Sequence, residues 1–363
     1  MNNRKLVLEN GKVFEGIGFG STLEVVAEMI FNTAVVGYQE IISDPTNCNK
    51  IICMTYPLIG NYGLTDEDYE SKHLSAKGLI VREYNEIPSN FRYTRTLGDV
   101  MEEFNISGIS GIDTRYLMKV IQEEGSMKAL ICDIDKPLDE CMEVINNYVE
   151  EENLVKLVSS KKMWYSRTPN PVFNVAVIDL GTKIRFIKEL NNIGCNVVVF
   201  PYNVTVEEIK KYKPDGLFIS NGPGNPSRLS GVVEIIKHFK NNLPIFGVGL
   251  GQLLIGLSYD VDVVKLKSGC HGSNYPVKDV ETGKVEITTQ NYQYVLNEET
   301  LKKSSLEVSH IDVISNLSIG IVNRNDNVMG VLFEPVDPID NDSENLFQEF
   351  LNVIKKCGGS KNA

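Results

Sequence analysis

The sequence predicts an α/β protein of two domains: an N-terminal strand-rich α+β domain, then a mostly parallel sheet flanked by helices. Three observations carry this. A chain of 363 residues is too long for one ordinary core. Short strand-like runs broken by Gly, Pro, Asn and Asp dominate residues 1–154. From residue 172 strands and helices alternate, the pattern of parallel strands joined by crossover helices.

Taken in order, residues 4–15 form two alternating runs about Glu9-Asn10-Gly11, and Asn-Gly is a favoured hairpin turn. Further strand-like runs follow at 25–32, 51–56 and 79–82. Helical spacing marks 97–104, 113–124 and 138–150, with Asp113-Thr114 placed to cap the second. Periodicity fails at 155–171, where Thr168-Pro-Asn-Pro171 removes backbone donors, so the domains are 1–154 and 172–358, joined by a linker. The second domain reads as strands 173–178, 196–200, 216–219 and 244–248, interleaved with helices 182–192, 205–212 and 230–240. Strand patterns return at 261–266, 284–289, 306–313, 319–323 and 328–333, before a closing helix at 343–356 and a short tail at 359–363.

Composition narrows the function. The chain is 42% hydrophobic and 23% charged, with a formal net charge of -12, which disfavours nucleic acid and anionic membranes as partners. No apolar run approaches the ~20 residues of a membrane span. The opening Met1-Asn-Asn-Arg-Lys-Leu6 has no secretory h-region, so a cytoplasmic location is expected. The cysteines (48, 53, 132, 141, 195, 270 and 357) are odd in number and lack CxxC spacing. Reduced thiols are expected, with neither a disulfide framework nor a zinc site.

The densest signal is Gly247-Val248-Gly249-Leu250-Gly251, between an apolar strand and an apolar helix. It has the spacing of a nucleophile elbow, in which flanking glycines permit a strained turn that lifts one side chain above the sheet. Its central residue here is Gly249. In a parallel sheet, sites form at the carboxyl ends of strands, so this elbow and Gly222-Pro-Gly224 are expected at one edge.

Several stretches together resemble the small, glutamine-hydrolysing subunit of carbamoyl phosphate synthetase. They are Phe31-Asn-Thr33, Gly37-Tyr-Gln-Glu40, Thr55-Tyr-Pro-Leu-Ile-Gly-Asn-Tyr-Gly63, Gly108-Ile-Ser-Gly-Ile-Asp-Thr-Arg115, Ser220-Asn-Gly-Pro-Gly-Asn-Pro226 and Lys265-Leu-Lys-Ser-Gly269. The resemblance runs collinearly from about Leu6 to Phe347. It implies a class I glutamine amidotransferase domain that frees ammonia for a large synthetase subunit. That partner uses ATP and bicarbonate to make carbamoyl phosphate for arginine and pyrimidine synthesis. No cofactor is expected on this chain itself.

The family's chemistry needs an elbow cysteine, a histidine base and an orienting glutamate. Residue by residue, the cysteine falls on Gly249, the histidine on Glu334 (or, without a gap, Phe333), and the glutamate near Val336. The family's substrate-holding glutamine falls on Leu253, and a small glycine on Gln293. Vestiges of the glutamine pocket are expected at Thr46, Gly222, Gly224, Leu250, Asn291 and Tyr294. The resemblance therefore implies a small subunit with a degenerate triad: a pseudoenzyme that supports ammonia-dependent synthesis and binds glutamine weakly or not at all. An amidotransferase using a non-standard route and a glutamine-sensing regulatory subunit stand as alternatives.

Other features have plainer readings. The third glycine of the elbow comes one residue early for a dinucleotide fingerprint, and Asp260 and Asp262 are too near to hold a ribose. Cys270-His271 would point to opposite faces of a strand and reads as packing. His310 beside Asp312 reads as a structural histidine. Asp66-Glu67-Asp68 and Glu150-Glu151-Glu152 read most simply as solvated charge, with an inter-subunit role as the alternative for the first, and Asp337, Asp340 and Asp342 as loop acids without metal-ligand partners.

Overall fold

The computed structural model describes residues 3–335 and 346–358. The chain divides into two compact units: Met1–Glu151 with Lys267–Gly272, and Glu152–Leu266 with Ser273–Ala363.

In the first unit seven strands close into a barrel. Their order is Asn3–Leu8, Val13–Gly20, Ser107–Ser110, Gly78–Ile80, Lys50–Met54, Val25–Asn32 and Met127–Asp133, the last pairing back to the first. The opening hairpin turns at Asn10-Gly11, with Gly11 at φ 82° and Leu8 N–H donating to Lys12 O at 2.9 Å. Alternation buries Leu6, Leu8, Met29, Ile51 and Ile131, onto which helix Thr114–Glu124 packs Leu117, Val120 and Ile121. Asp113 caps that helix by accepting from Tyr116 N–H at 3.0 Å, a contact worth about 1 kcal/mol. Helix Leu97–Glu103 buries Leu97, Val100 and Met101 against Ile52 and Leu79 in a second cluster.

The second unit is built on a ten-stranded sheet. Strands Cys195–Pro201, Phe173–Asp179, Gly216–Ile219, Ile245–Val248 and Val328–Val331 lie side by side and parallel. Beyond Val328–Val331, strands Ser318–Asn323, Glu307–Asp312 and Val263–Asp279 follow antiparallel, and Val285–Leu296 closes that side. Successive residues of a strand face opposite layers. Phe246 meets Phe347 and Phe350 of helix Leu346–Lys356, while Gly247 meets Ile255 of helix Leu250–Ser258.

Two stretches differ from the sequence reading. Residues 155–171 carry helix Val155–Val158 and strand Trp164–Ser166, which pairs antiparallel with Cys195–Pro201 at the sheet edge. These elements are only three or four residues long, too short to print a period. Residues 263–279 form one continuous strand, and its middle, Lys267–Gly272, groups with the first unit. No described helix is long and apolar enough to cross a membrane. Among the described residues no cluster of three or more His, Cys, Asp and Glu could hold a metal ion.

Candidate functional site

The elbow expected from the glycine spacing is present. Strand Ile245–Val248 ends at Gly249, which has φ 57° and ψ -115° and opens helix Leu250–Ser258. This is backbone that side chains rarely adopt. Gly249 N–H donates to Val331 O at 2.8 Å, and Gly249 O accepts from Gln252 and Leu253 N–H at 3.1 and 3.3 Å. The turn is therefore tied both to the neighbouring strand and to its own helix.

The three elbow glycines have different jobs. A Cβ on Gly251 would fall 2.2 Å from Ile219 O, and one on Gly247 would fall 2.7 Å from Gly251 C. Those two glycines let strand and helix approach each other. A Cβ on Gly249 would meet Asn221 Cβ at 3.4 Å, close to ordinary contact, so the centre of the elbow has room for a side chain that glycine does not supply.

The loop after strand Gly216–Ile219 runs beside it. Ser220 Oγ accepts from Leu180 N–H at 2.9 Å and donates to Asn221 O at 2.8 Å. Gly222 is pressed against the Leu180 carbonyl, since a Cβ there would lie 2.2 Å from its oxygen. Gly224 adopts φ 90° over Leu154. Leu250, beside the elbow, is buried at 4% exposure.

Asn221 connects this loop to a group of charges. Its side-chain oxygen accepts from Lys183 N–H at 3.4 Å. Lys183 Nζ donates to Glu334 Oε1, and Arg185 donates to Glu334 Oε2 at 3.0 Å. The side chains of Lys183 and Glu334 are only 5% and 10% exposed, against 33% for Arg185. Glu334 N–H also donates to Thr289 O at 2.9 Å. The carboxylate is thus held on both oxygens, by Lys183 on one and Arg185 on the other.

The two candidates for the histidine position have different surroundings. Glu334 sits in the ion group, whereas the buried Phe333 packs its ring edge-on to His310, with centroids 5.1 Å apart. His310 Nδ1 lies 3.0 Å from Ser309 Oγ, and burial pulls its pKa below the usual 6.5. His310 also lines a cavity of about 820 Å³ with Glu307, Arg324 and Glu349.

The remaining expected residues lie on other elements. Asn291, Gln293 and Tyr294 lie half-buried on strand Val285–Leu296. Leu253 is a buried apolar residue of the elbow helix. Thr46 belongs to the first unit, in the turn Pro45–Asn47, where its N–H donates to Asp44 Oδ1 at 2.8 Å. Cys270 and His271 also group with the first unit. There His271 O accepts from Thr33 N–H at 3.2 Å and its ring stands edge-on to Phe31. Val336, Asp337, Asp340 and Asp342 lie outside the described residues.

Sequence reasoning missed Lys183, Arg185, Asn221 and Gln252. The first two are cations just after Gly181-Thr182, where strand Phe173–Asp179 gives way to helix Ile184–Asn192, and nothing in the local sequence marks their partner. Gln252 is fully buried in the elbow helix against Gly330, and neither its carboxamide oxygen nor its nitrogen has a partner among the described residues.

Comparison with known proteins agrees with this layout. Residues 6–131 match the carbamoyl-phosphate synthase small chain, CPSase domain, and residues 176–353 match glutamine amidotransferase class-I. The chain is 40% identical over 355 residues to the carbamoyl phosphate synthase small chain of Fusobacterium nucleatum subsp. nucleatum, covering 98% of this chain and 99% of that one. It is 40% identical over 353 residues to the carbamoyl phosphate synthase pyrimidine-specific small chain of Bacillus subtilis (strain 168), covering 97% and 96%. A glutamine amidotransferase structure from Thermotoga maritima aligns at 13% identity and a TM-score of 0.38, over 51% of this chain and 97% of that one. On the full-length identity to these small chains, the chain belongs to the carbamoyl phosphate synthase small-chain family and carries a class I glutamine amidotransferase domain.

Proposed function

We propose that this chain is a carbamoyl phosphate synthase small subunit whose glutaminase site is inert. It binds a large subunit that makes carbamoyl phosphate from free ammonia. The observation that carries the reading is the pair of residues at the reacting positions. Gly249 brings no nucleophile to a well-formed elbow, and neither residue that the family resemblance gives to the base is a histidine: Glu334 is held by Lys183 and Arg185, and Phe333 packs against His310.

A thiolate mechanism needs a group that attacks the amide carbon and a base that takes and returns its proton. Glycine can do neither. A carboxylate whose two oxygens accept from Lys183 and Arg185 is engaged with those side chains, and a phenylalanine carries no base at all. Leu253 and Gln293 stand where the family's pocket has residues suited to glutamine, so weak or absent glutamine binding follows from the same reading.

The test is carbamoyl phosphate formation by this chain with a cognate large subunit, comparing glutamine with ammonium. Product from ammonium, with glutamine-dependent turnover lower by about 10³-fold or more, is the expected result, given what loss of a triad member costs. Comparable turnover with glutamine would overturn the reading in favour of an amidotransferase with another nucleophile.

A further inference from the structure

Strand Met127–Asp133 and helix Leu138–Asn147 of the first unit carry two thiols in contact. Strand alternation sends Ala129 and Ile131 into one apolar cluster and Leu130 and Cys132 into another, on the opposite face. The helix packs onto that second face with Cys141 and Ile145, four residues apart and therefore on one side of it. The Sγ atoms of Cys132 and Cys141 lie 3.6 Å apart, and both residues are fully buried. A disulfide holds its sulfurs about 2 Å apart, so a shift of about 1.5 Å would close the pair.

The two thiols sit on supports of different strength. Cys132 is part of the barrel, its strand paired with the first strand at Lys5. Cys141 ends the first turn of a ten-residue helix that buries Cys141 and Ile145 alone and whose N-cap, Pro137, makes no side-chain capping bond. The far end is better held, since Lys128 Nζ donates to Tyr148 O at 3.0 Å and to Ile145 O at 3.4 Å. Local opening therefore begins at the end that carries Cys141. The preceding turn stays near the strand during such opening. Lys136 O accepts from Lys5 Nζ and, at 3.9 Å, from Cys141 Sγ, while Lys136 Nζ pairs with Glu24 at 2.6 Å. Cys141 is thus returned to Cys132 when the helix closes.

We propose that Cys132 and Cys141 are a site of reversible oxidation by hydroperoxides, forming a disulfide that latches helix Leu138–Asn147 to the barrel. With the first helical turn open, the Cys141 sulfur attacks hydrogen peroxide. An S–O bond forms, the O–O bond breaks, and the thiol proton leaves in a molecule of water. After closure the Cys132 sulfur attacks the Cys141 sulfenic acid. An S–S bond forms, the S–O bond breaks, and the second water carries away the Cys132 proton. Two thiols lose two electrons and one peroxide becomes two waters. Burial pushes the Cys132 thiol up to about 12, which suits it to this second role rather than to meeting the oxidant. The latch uses neither Gly249 nor a large subunit, so it stands apart from the scaffold reading.

The test treats the full-length chain carrying Cys357→Ser, which removes the exposed thiol, with hydrogen peroxide and then blocks remaining thiols with a maleimide in denaturant. Cleavage before Asp133, Asp135 and Asp139 puts the two cysteines on different peptides, which a disulfide holds together in mass spectrometry. The expected result is that linked pair, lost on adding dithiothreitol and missing from Cys141→Ala. Because the linkage is read in the chain that keeps both cysteines, the result does not depend on how well Cys141→Ala folds. Amide exchange across helix Leu138–Asn147 is expected to slow about tenfold on oxidation, as its opening is suppressed. Recovery of both cysteines as maleimide adducts, after peroxide exposure that oxidises Cys357 in the parent chain, would overturn the proposal. So would sulfinic acid at Cys141 without linkage, or linkage of either residue to another cysteine. Linkage with unchanged exchange would refute the latch.

Discussion

At the scale of single residues, the elbow separates glycines that geometry requires from the one that chemistry would replace. Gly251 and Gly247 have backbone atoms where a Cβ would go, whereas Gly249 has space but a strained backbone. Gly251→Ala should therefore cost more than about 3 kcal/mol or prevent folding, while Gly249→Ala should cost about 1–3 kcal/mol. Urea denaturation of the two variants checks the order, and the reverse order would contradict the packing described. On the proposed reading Gly249→Cys should fold, yet give no glutamine-dependent product, because neither Glu334 nor Phe333, the residues the resemblance puts at the base position, is a histidine; an assay with the large subunit reads this directly. His310 provides a pH test. Its pKa lies below the usual 6.5, so under acid the unfolded chain binds a proton that the native state resists. Its contribution is complete above pH 6.5 and is lost as pH falls towards the lowered native value. Unfolding midpoints measured across that range should fall less steeply for His310→Asn than for the parent. The three glycines were legible from spacing alone. Lys183 and Arg185 were not, because their partner Glu334 lies about 150 residues further along and nothing local marks it.

At the scale of elements, the elbow is a strand, a turn and a helix held by burial and by charge. Leu250, Leu253, Leu254 and Ile255 are buried on the helix, each worth about 1.5–3 kcal/mol. The packing of such an element does not depend on the side chain at its centre, so the elbow keeps its shape with glycine there. The ion group is different in kind, since removing Glu334 takes a contact from each of the others. Glu334→Ala leaves Lys183 buried beside Arg185 without their shared carboxylate, and should cost about 3 kcal/mol. A loss under about 1 kcal/mol in denaturant titration would mean that the group is better hydrated than its burial implies. The regular alternation of strands and helices made the parallel sheet readable. Barrel closure was not readable, because pairings such as Leu6 with Ile131 and Met29 with Ile51 join strands with no local signal of partnership.

At the scale of the whole molecule, the cysteine inventory gives a check on both units at once. None of the seven cysteines is in a disulfide; five are buried, Cys270 is half-buried and Cys357 is exposed. Burial also raises the thiol pKa of Cys132 and Cys195 to about 12, so neither is a ready nucleophile at neutral pH. A thiol reagent should label Cys357 quickly in the native protein and all seven after unfolding; rapid native labelling of Cys53 or Cys195 would contradict the fold. The sequence division at 155–171 came from proline and failing periodicity, signals that mark breaks along a chain. They could not show that Lys267–Gly272, far past that break, completes the first unit. That return has a consequence for biosynthesis. On a ribosome the N-terminal unit cannot finish folding when its own stretch emerges; it must wait, incomplete at Thr33 and Ser126, whose N–H groups pair with His271 O and Lys267 O, until most of the second unit has been made.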